Sequence, residues 1–119
     1  MPPFDPENFL ELAGQLLNDK RYDTESKVRT AIGRAYYAAF LIAQAKLESL
    51  GDSFTNEKRI HADVIEKLSA RDSGLGSKLN SLFYYRVDAD YRMNSNVINL
   101  GPSACKFAQH IIIRVQALK

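Results

Sequence analysis

Between Asp23 and Gly51 the chain reads TESKVRTAIGRAYYAAFLIAQAKLESL, residues 24–50, and this stretch decides the fold. Val28, Ile32, Ala35, Tyr36, Ala39, Phe40, Ala43, Leu47 and Leu50 recur at steps of one, three and four, the period of an α-helix. Asp23 and Thr24 offer N-terminal caps and Gly51 a C-terminal one. At about 1.5 Å per residue the segment makes a rod of roughly 40 Å, the spine of a domain. Beside its core stripe it carries Ala31, Ala38, Leu41, Ile42 and Ala45 on other faces, and a helix apolar nearly all round is covered on more than one side. Neighbouring helices and a second copy of the chain are the expected covers, with small alanines permitting close approach at a two-fold axis.

Working outward, Asp5 and Pro6 form a cap and first-position pair. Phe9, Leu10, Leu12, Ala13, Leu16 and Leu17 then keep a helical period to about Asn18. A third helix is predicted from near Asn56, carrying Ile60, Val64, Ile65 and Leu68 before the turn-rich stretch Arg71 to Gly76. A fourth holds Leu75, Leu79, Leu82, Phe83, Arg86 and Asp90 on one stripe and ends near Tyr91, since Asn94, Ser95, Asn96 and Asn99 favour turns. Gly101 and Pro102 open a fifth, with Ala104, Phe107, Ala108, Ile111, Ile112 and Val115 inward. No segment sustains strand alternation; the one β-prone patch, Ile111 to Val115, has helical flanks. The expected fold is all-α: an up-and-down bundle of four main helices plus one shorter helix, a single domain over residues 1–119.

Sixteen Lys and Arg against 14 Asp and Glu leave a net charge of +2, and the basic pairs Lys20-Arg21, Lys27 and Arg29, and Lys58-Arg59 are scattered. Such a balance neither demands nor excludes nucleic acid, and disfavours nonspecific DNA wrapping, which needs basic residues on one face. No apolar run approaches the roughly 20 residues of a spanning helix, and the N-terminus from Met1 to Asp5 lacks a basic segment followed by an apolar one. The single Cys105, flanked by apolar helix, reads as an inert buried thiol with no intrachain partner, which suits a reducing compartment. A cytoplasmic protein without membrane contact is expected. His61 and Asp63 are too few for a metal centre, Gly74-Leu75-Gly76 lacks the context of a dinucleotide loop, and no cofactor is expected.

Chemistry concentrates where charge interrupts apolar helix. Arg86 and Asp90 sit on the row along which the leucines of the fourth helix point inward, and a charge desolvated there must be paired or open to a cleft. Arg34 interrupts the second helix in the same way. Asp90 or Asp88 is its expected partner, since a guanidinium grips a carboxylate with two hydrogen bonds. Tyr37, one turn after Arg34, could add its hydroxyl, while Tyr36 belongs to the core stripe.

Taken together, Arg34-Ala-Tyr-Tyr-Ala-Ala-Phe40 on a long second helix, His61 opening a third, and Arg86-Val-Asp-Ala-Asp-Tyr91 closing a fourth resemble the HEPN domains (higher eukaryotes and prokaryotes nucleotide-binding), over about residues 7 to 117. The resemblance implies a helical bundle that commonly forms a homodimer. It also implies kinship with prokaryotic proteins often encoded beside a minimal nucleotidyltransferase as toxin and antitoxin, some of them metal-independent ribonucleases. Ribonuclease members separate an Arg and a following His by about four to six intervening residues, so that a cation steadies phosphate while imidazole moves a proton. Here Arg86 is followed at that spacing by Tyr91, Arg92 and Met93, and tyrosine, with a pKa near 10, is a poor base at neutral pH.

Two readings of Arg86 and Asp90 stay open. They form a buried ion pair that fixes helix register and a dimer interface, or they line a groove in which Arg34, Tyr37, Arg86, Asp90 and Tyr91 bind RNA or a nucleotide, Arg86 on phosphate and Tyr91 stacked on a base. Cleavage by Arg86 with Tyr91, or with a histidine from elsewhere, is the enzymatic alternative, and a structural adaptor bundle the third. His61 reads more readily as a satisfied helix-end histidine than as a member of the site. The run Phe83, Tyr84, Tyr85 reads as core edge before partner surface.

Overall fold

The structure, a computed structural model, describes residues 3–119; Met1 and Pro2, part of the N-terminal stretch read for a leader signal, lie outside the described residues. Five helices follow one another: α1 (Glu7–Leu17), α2 (Thr24–Ser49), α3 (Ile60–Arg71), α4 (Ser73–Tyr91) and α5 (Leu100–Gln116), with a 3₁₀ turn at Glu57–Arg59 leading into α3. No described residue lies in a strand. Three helices are long and two, α1 and α3, are short, where four long and one short were expected. No described helix is long and apolar enough to cross a membrane.

Helix α2 is the axis of the domain and packs against all four others. Asp23 caps it by accepting the Ser26 amide at 2.9 Å, and beyond its last residue Gly51 takes φ +107°, a turn that favours glycine. The expected stripe, Val28 to Leu50, is buried as far as Leu47 and half-buried at Leu50. Ala31 and Ala38, two of the three alanines expected at a two-fold contact, are buried too. Four helices of the same chain contact α2, while Leu41 and Ile42 are half-buried and Ala45 is exposed.

The glycine-rich stretch read as a turn is different. Asp72 alone separates α3 from α4, ending one and capping the next by accepting the Leu75 amide at 3.0 Å, so Gly74, Leu75 and Gly76 form the first turn of α4. A Cβ at Gly76 would lie 2.6 Å from the Ser69 backbone, and the glycine is what lets the two helices meet so closely. This sharp corner sends α4 back along α2 and brings its C-terminal end beside Arg29 and Gly33 in the N-terminal half of the central helix.

Candidate functional site

The far end of α4 is fastened by a side chain that sequence patterning left among the surface charges. Arg29 of α2 donates through Nη1 to the carbonyls of Asp88, Ala89 and Arg92 at 3.0–3.1 Å, and through Nη2 to those of Met93 and Ser95 at 3.2 and 3.0 Å. Its remaining bonds go to Glu25, one turn earlier. A guanidinium fits this place because the C-terminal end of a helix carries partial negative charge and its carbonyls have lone pairs to spare, even where, as at Asp88, one amide already donates to them. The signal in the sequence is a spacing of four: Arg29, Gly33 and Tyr37 share one face of α2, the face that meets α4.

On that face Arg86 crosses from α4 toward Tyr37, its guanidinium carbon 5.2 Å from the ring centroid, and donates through Nε to Asp90 at 2.9 Å and through Nη2 to the Tyr91 hydroxyl at 3.2 Å. The Arg86 side chain is 14% exposed and Asp90 35%, so the carboxylate stands at the rim and the cation behind it. Burial works against the Arg86 charge, but the surrounding Tyr37, Tyr91 and Asp90 more than offset it, and its pKa lies above the ordinary arginine value.

The expected pairing of Arg34 with Asp88 or Asp90 is not formed. Gly33, not Arg34, faces Asp90, whose Oδ1 would lie 3.7 Å from a Cβ placed there. Successive helix residues are about 100° apart, which turns Arg34 toward α1. Its guanidinium lies over Phe9 at 4.7 Å and beside Tyr37 at 5.3 Å. Asp88 pairs instead with Arg92 at 3.5 Å. The two guanidinium groups do converge from two helices, but on an aromatic ring rather than on a shared carboxylate.

His61 belongs to the same assembly. Its ring stacks on Phe40 at 4.5 Å, meets Tyr37 edge-on at 5.9 Å, and places Nδ1 2.7 Å from the hydroxyl of Tyr36. Tyr36 is fully buried, and burial, helped by neighbouring Tyr37, drives its pKa upward, so it keeps its proton. Among the described residues that proton has one acceptor, His61 Nδ1, so the neutral imidazole carries its own hydrogen on Nε2. Burial, and then the Arg86 charge, lower the His61 pKa, which keeps the ring neutral.

No side-chain nitrogen or oxygen of the described residues is buried without a hydrogen bond. Arg86 Nη1 and His61 Nε2 bond to no described residue, and both therefore reach solvent. Tyr91, whose hydroxyl meets Arg86 Nη2, is 68% exposed. The result is an open rim across α2, α3 and α4 rather than a closed cavity; a groove between α1 and α5, lined by Leu10, Lys106, Ile112 and Ile113, lies elsewhere. Cys105 borders that groove, and burial raises its thiol pKa, which opposes nucleophilic reactivity. His110 is also remote in role, its Nε2 2.7 Å from Lys78 Nζ. Compared with family models, curated proteins and solved structures, the chain gives no match.

Proposed function

We propose that this chain is a HEPN-type protein that binds single-stranded RNA across the rim formed by Arg34, Tyr37, Arg86, Asp90 and Tyr91. The observation that carries the reading is the adjacency of a solvent-facing guanidinium edge on Arg86 to the exposed ring of Tyr91. A cation for phosphate and a π-face for a base are the two elements that unpaired RNA requires. Arg34 adds charge: it makes no ion pair with any described residue, while Arg86 shares one carboxylate, so the rim carries surplus positive charge. Binding at about 50–200 mM salt should fall with salt in proportion to the few phosphates engaged.

Anisotropy of a labelled 12-nucleotide RNA tests the reading. Arg86→Ala should weaken binding at least about tenfold and Tyr91→Ala by several-fold, the worth of a charged hydrogen bond and of one stacked base. Binding that ignores both substitutions would favour the adaptor reading. The homodimer, the minimal nucleotidyltransferase partner and the toxin and antitoxin setting rest on the resemblance alone; sedimentation at micromolar concentration and co-purification with a nucleotidyltransferase encoded alongside test them.

A second reading, the metal-independent endonuclease, gains one specific observation: His61, distant from Arg86 in sequence, flanks the same Tyr37 ring. Against it stands the tautomer, because an imidazole whose Nδ1 is occupied and whose Nε2 bears hydrogen can donate but cannot take a proton from an attacking hydroxyl. Incubation with total RNA in chelator, with Arg86→Ala alongside, decides it: Arg86-dependent degradation supports the enzyme, and intact RNA with retained fold opposes it.

A further inference from the structure

The geometry points to His61 as a second, uncharged donor to the phosphate that Arg86 holds, with Tyr36 the positioning residue that keeps its N–H aimed outward. This rests on the RNA reading of the rim and adds to it a contact and a ligand atom, a non-bridging phosphate oxygen. Three observations converge. First, both groups border one ring, with Arg86 Cζ 5.2 Å and the His61 ring 5.9 Å from the Tyr37 centroid. Second, Arg86 Nη1 and His61 Nε2, like the Arg34 guanidinium beside the same ring, bond to no described residue; both carry hydrogen, so an acceptor-only group is the ligand they suit together. A phosphate oxygen accepts from both; a base edge would have to present acceptors alone.

Third, the imidazole is held more firmly than a surface histidine needs to be. Phe40 stacks on one side, Phe83 lies at 5.6 Å, and the Tyr36 hydroxyl fixes the ring's rotation and its tautomer. A second histidine proton would need Nδ1, which accepts from a buried hydroxyl with no other described acceptor. The site therefore binds an anion with one full charge from Arg86 and one oriented dipole, and the positive end of α3, whose second residue is His61, adds to it.

Two measurements test this together. In ¹⁵N-histidine NMR of the free protein near pH 7, His61 should show a pyrrole-type Nε2 and a pyridine-type Nδ1; the reverse assignment would overturn the inference. In Tyr36→Phe, which keeps the ring and loses the hydroxyl, the two nitrogens should move toward averaged values. In anisotropy with the labelled 12-nucleotide RNA, His61→Phe, which preserves the aromatic packing, should raise Kd at least about tenfold, as loss of a hydrogen bond to a charged group does, and His61→Gln should recover part of it through its amide N–H. Circular dichroism of each variant confirms the helical fold. If Arg86→Ala abolishes binding and His61→Phe leaves it unchanged, the inference fails and the RNA reading stands. If the wild type binds no RNA, both fall.

Discussion

Replacing Arg29 by alanine should loosen the end of α4 on which Arg86, Asp90 and Tyr91 stand. The side chain is 17% exposed and holds five backbone carbonyls. Three of the five bonds, to Asp88, Ala89 and Ser95, are part-buried; those to Arg92 and Met93 are exposed and can be replaced by water. Counting only the part-buried bonds, and allowing for partial rehydration once the side chain is gone, the loss comes to about 2–4 kcal/mol. The exposed pair with Glu25 adds little. Arg29→Lys retains charge at the helix end but not the planar fork, and should lose about 1–2 kcal/mol. Urea denaturation at constant m-value gives the stability, and hydrogen exchange at the Arg92 and Ser95 amides, which bond to the same Asp88 and Arg92 carbonyls, reports the local effect. RNA binding should weaken with it. A loss below about 0.5 kcal/mol with unchanged exchange at those two amides would refute the idea that Arg29 fastens the site.

Other outcomes follow from the same geometry. Asp90→Ala should cost about 1–2 kcal/mol in urea denaturation, short of the 3–5 that a sealed ion pair would lose, because its carboxylate is about one-third exposed. Gly76→Ala drives a methyl group into the Ser69 backbone and should cost at least about 2 kcal/mol, whereas Gly33→Ala meets Asp90 at ordinary contact distance and should gain about 0.5–1 kcal/mol of helix stability; thermal melts of the pair compare them. For pH the sign comes from His61, whose pKa is lowered on folding from an ordinary 6.5. The unfolded chain takes up that proton first, so wild-type stability should decline as pH falls from about 7 toward 5, and His61→Phe should flatten the decline. The Asp19 carboxyl, held at about 2 by Arg21, titrates below this window. An equal slope in both proteins would contradict the burial of a neutral imidazole.

Which parts were legible depends on the range of the forces that set them. The span of α2 and the inward residues of α5 follow from a 3.6-residue period and from caps adjacent in sequence, and these are local. The corner at Asp72 was hidden because glycines signal turns unless something else demands them, and at Gly76 the demand came from the backbone of α3. Arg29 was hidden for a related reason: its partners are main-chain carbonyls more than 50 residues away, which no side-chain pattern marks. Arg86 was read as a charge requiring cover, and it has cover. Arg34 does not meet the acidic partner that charge complementarity suggests, because helix phase decides and Gly33 holds the position facing Asp90.

The same distinction governs His61. From sequence it is one histidine at the start of a helix, and a satisfied structural role is the natural reading; Tyr36, on the core stripe, is natural packing. Each reading is correct for one half of its residue. Tyr36 does pack in the core, yet burying its ring carries the hydroxyl to where a partner is obligatory, because an unpaired buried hydroxyl costs about 1–3 kcal/mol. His61 satisfies it through Nδ1, and that structural duty leaves Nε2 as the N–H of a neutral ring that shares the Tyr37 neighbour with Arg86. An imidazole held in this way is suited to holding phosphate and unsuited to serving as a base in its cleavage. On the RNA reading proposed above, core packing itself would then favour binding at this rim over general-base cleavage by His61. Tyr36→Phe is the sharpest probe of that link, since it removes one buried oxygen, touches no ligand, and should still shift both the His61 tautomer and the affinity for RNA. If affinity holds while the tautomer is freed, packing and binding are independent here.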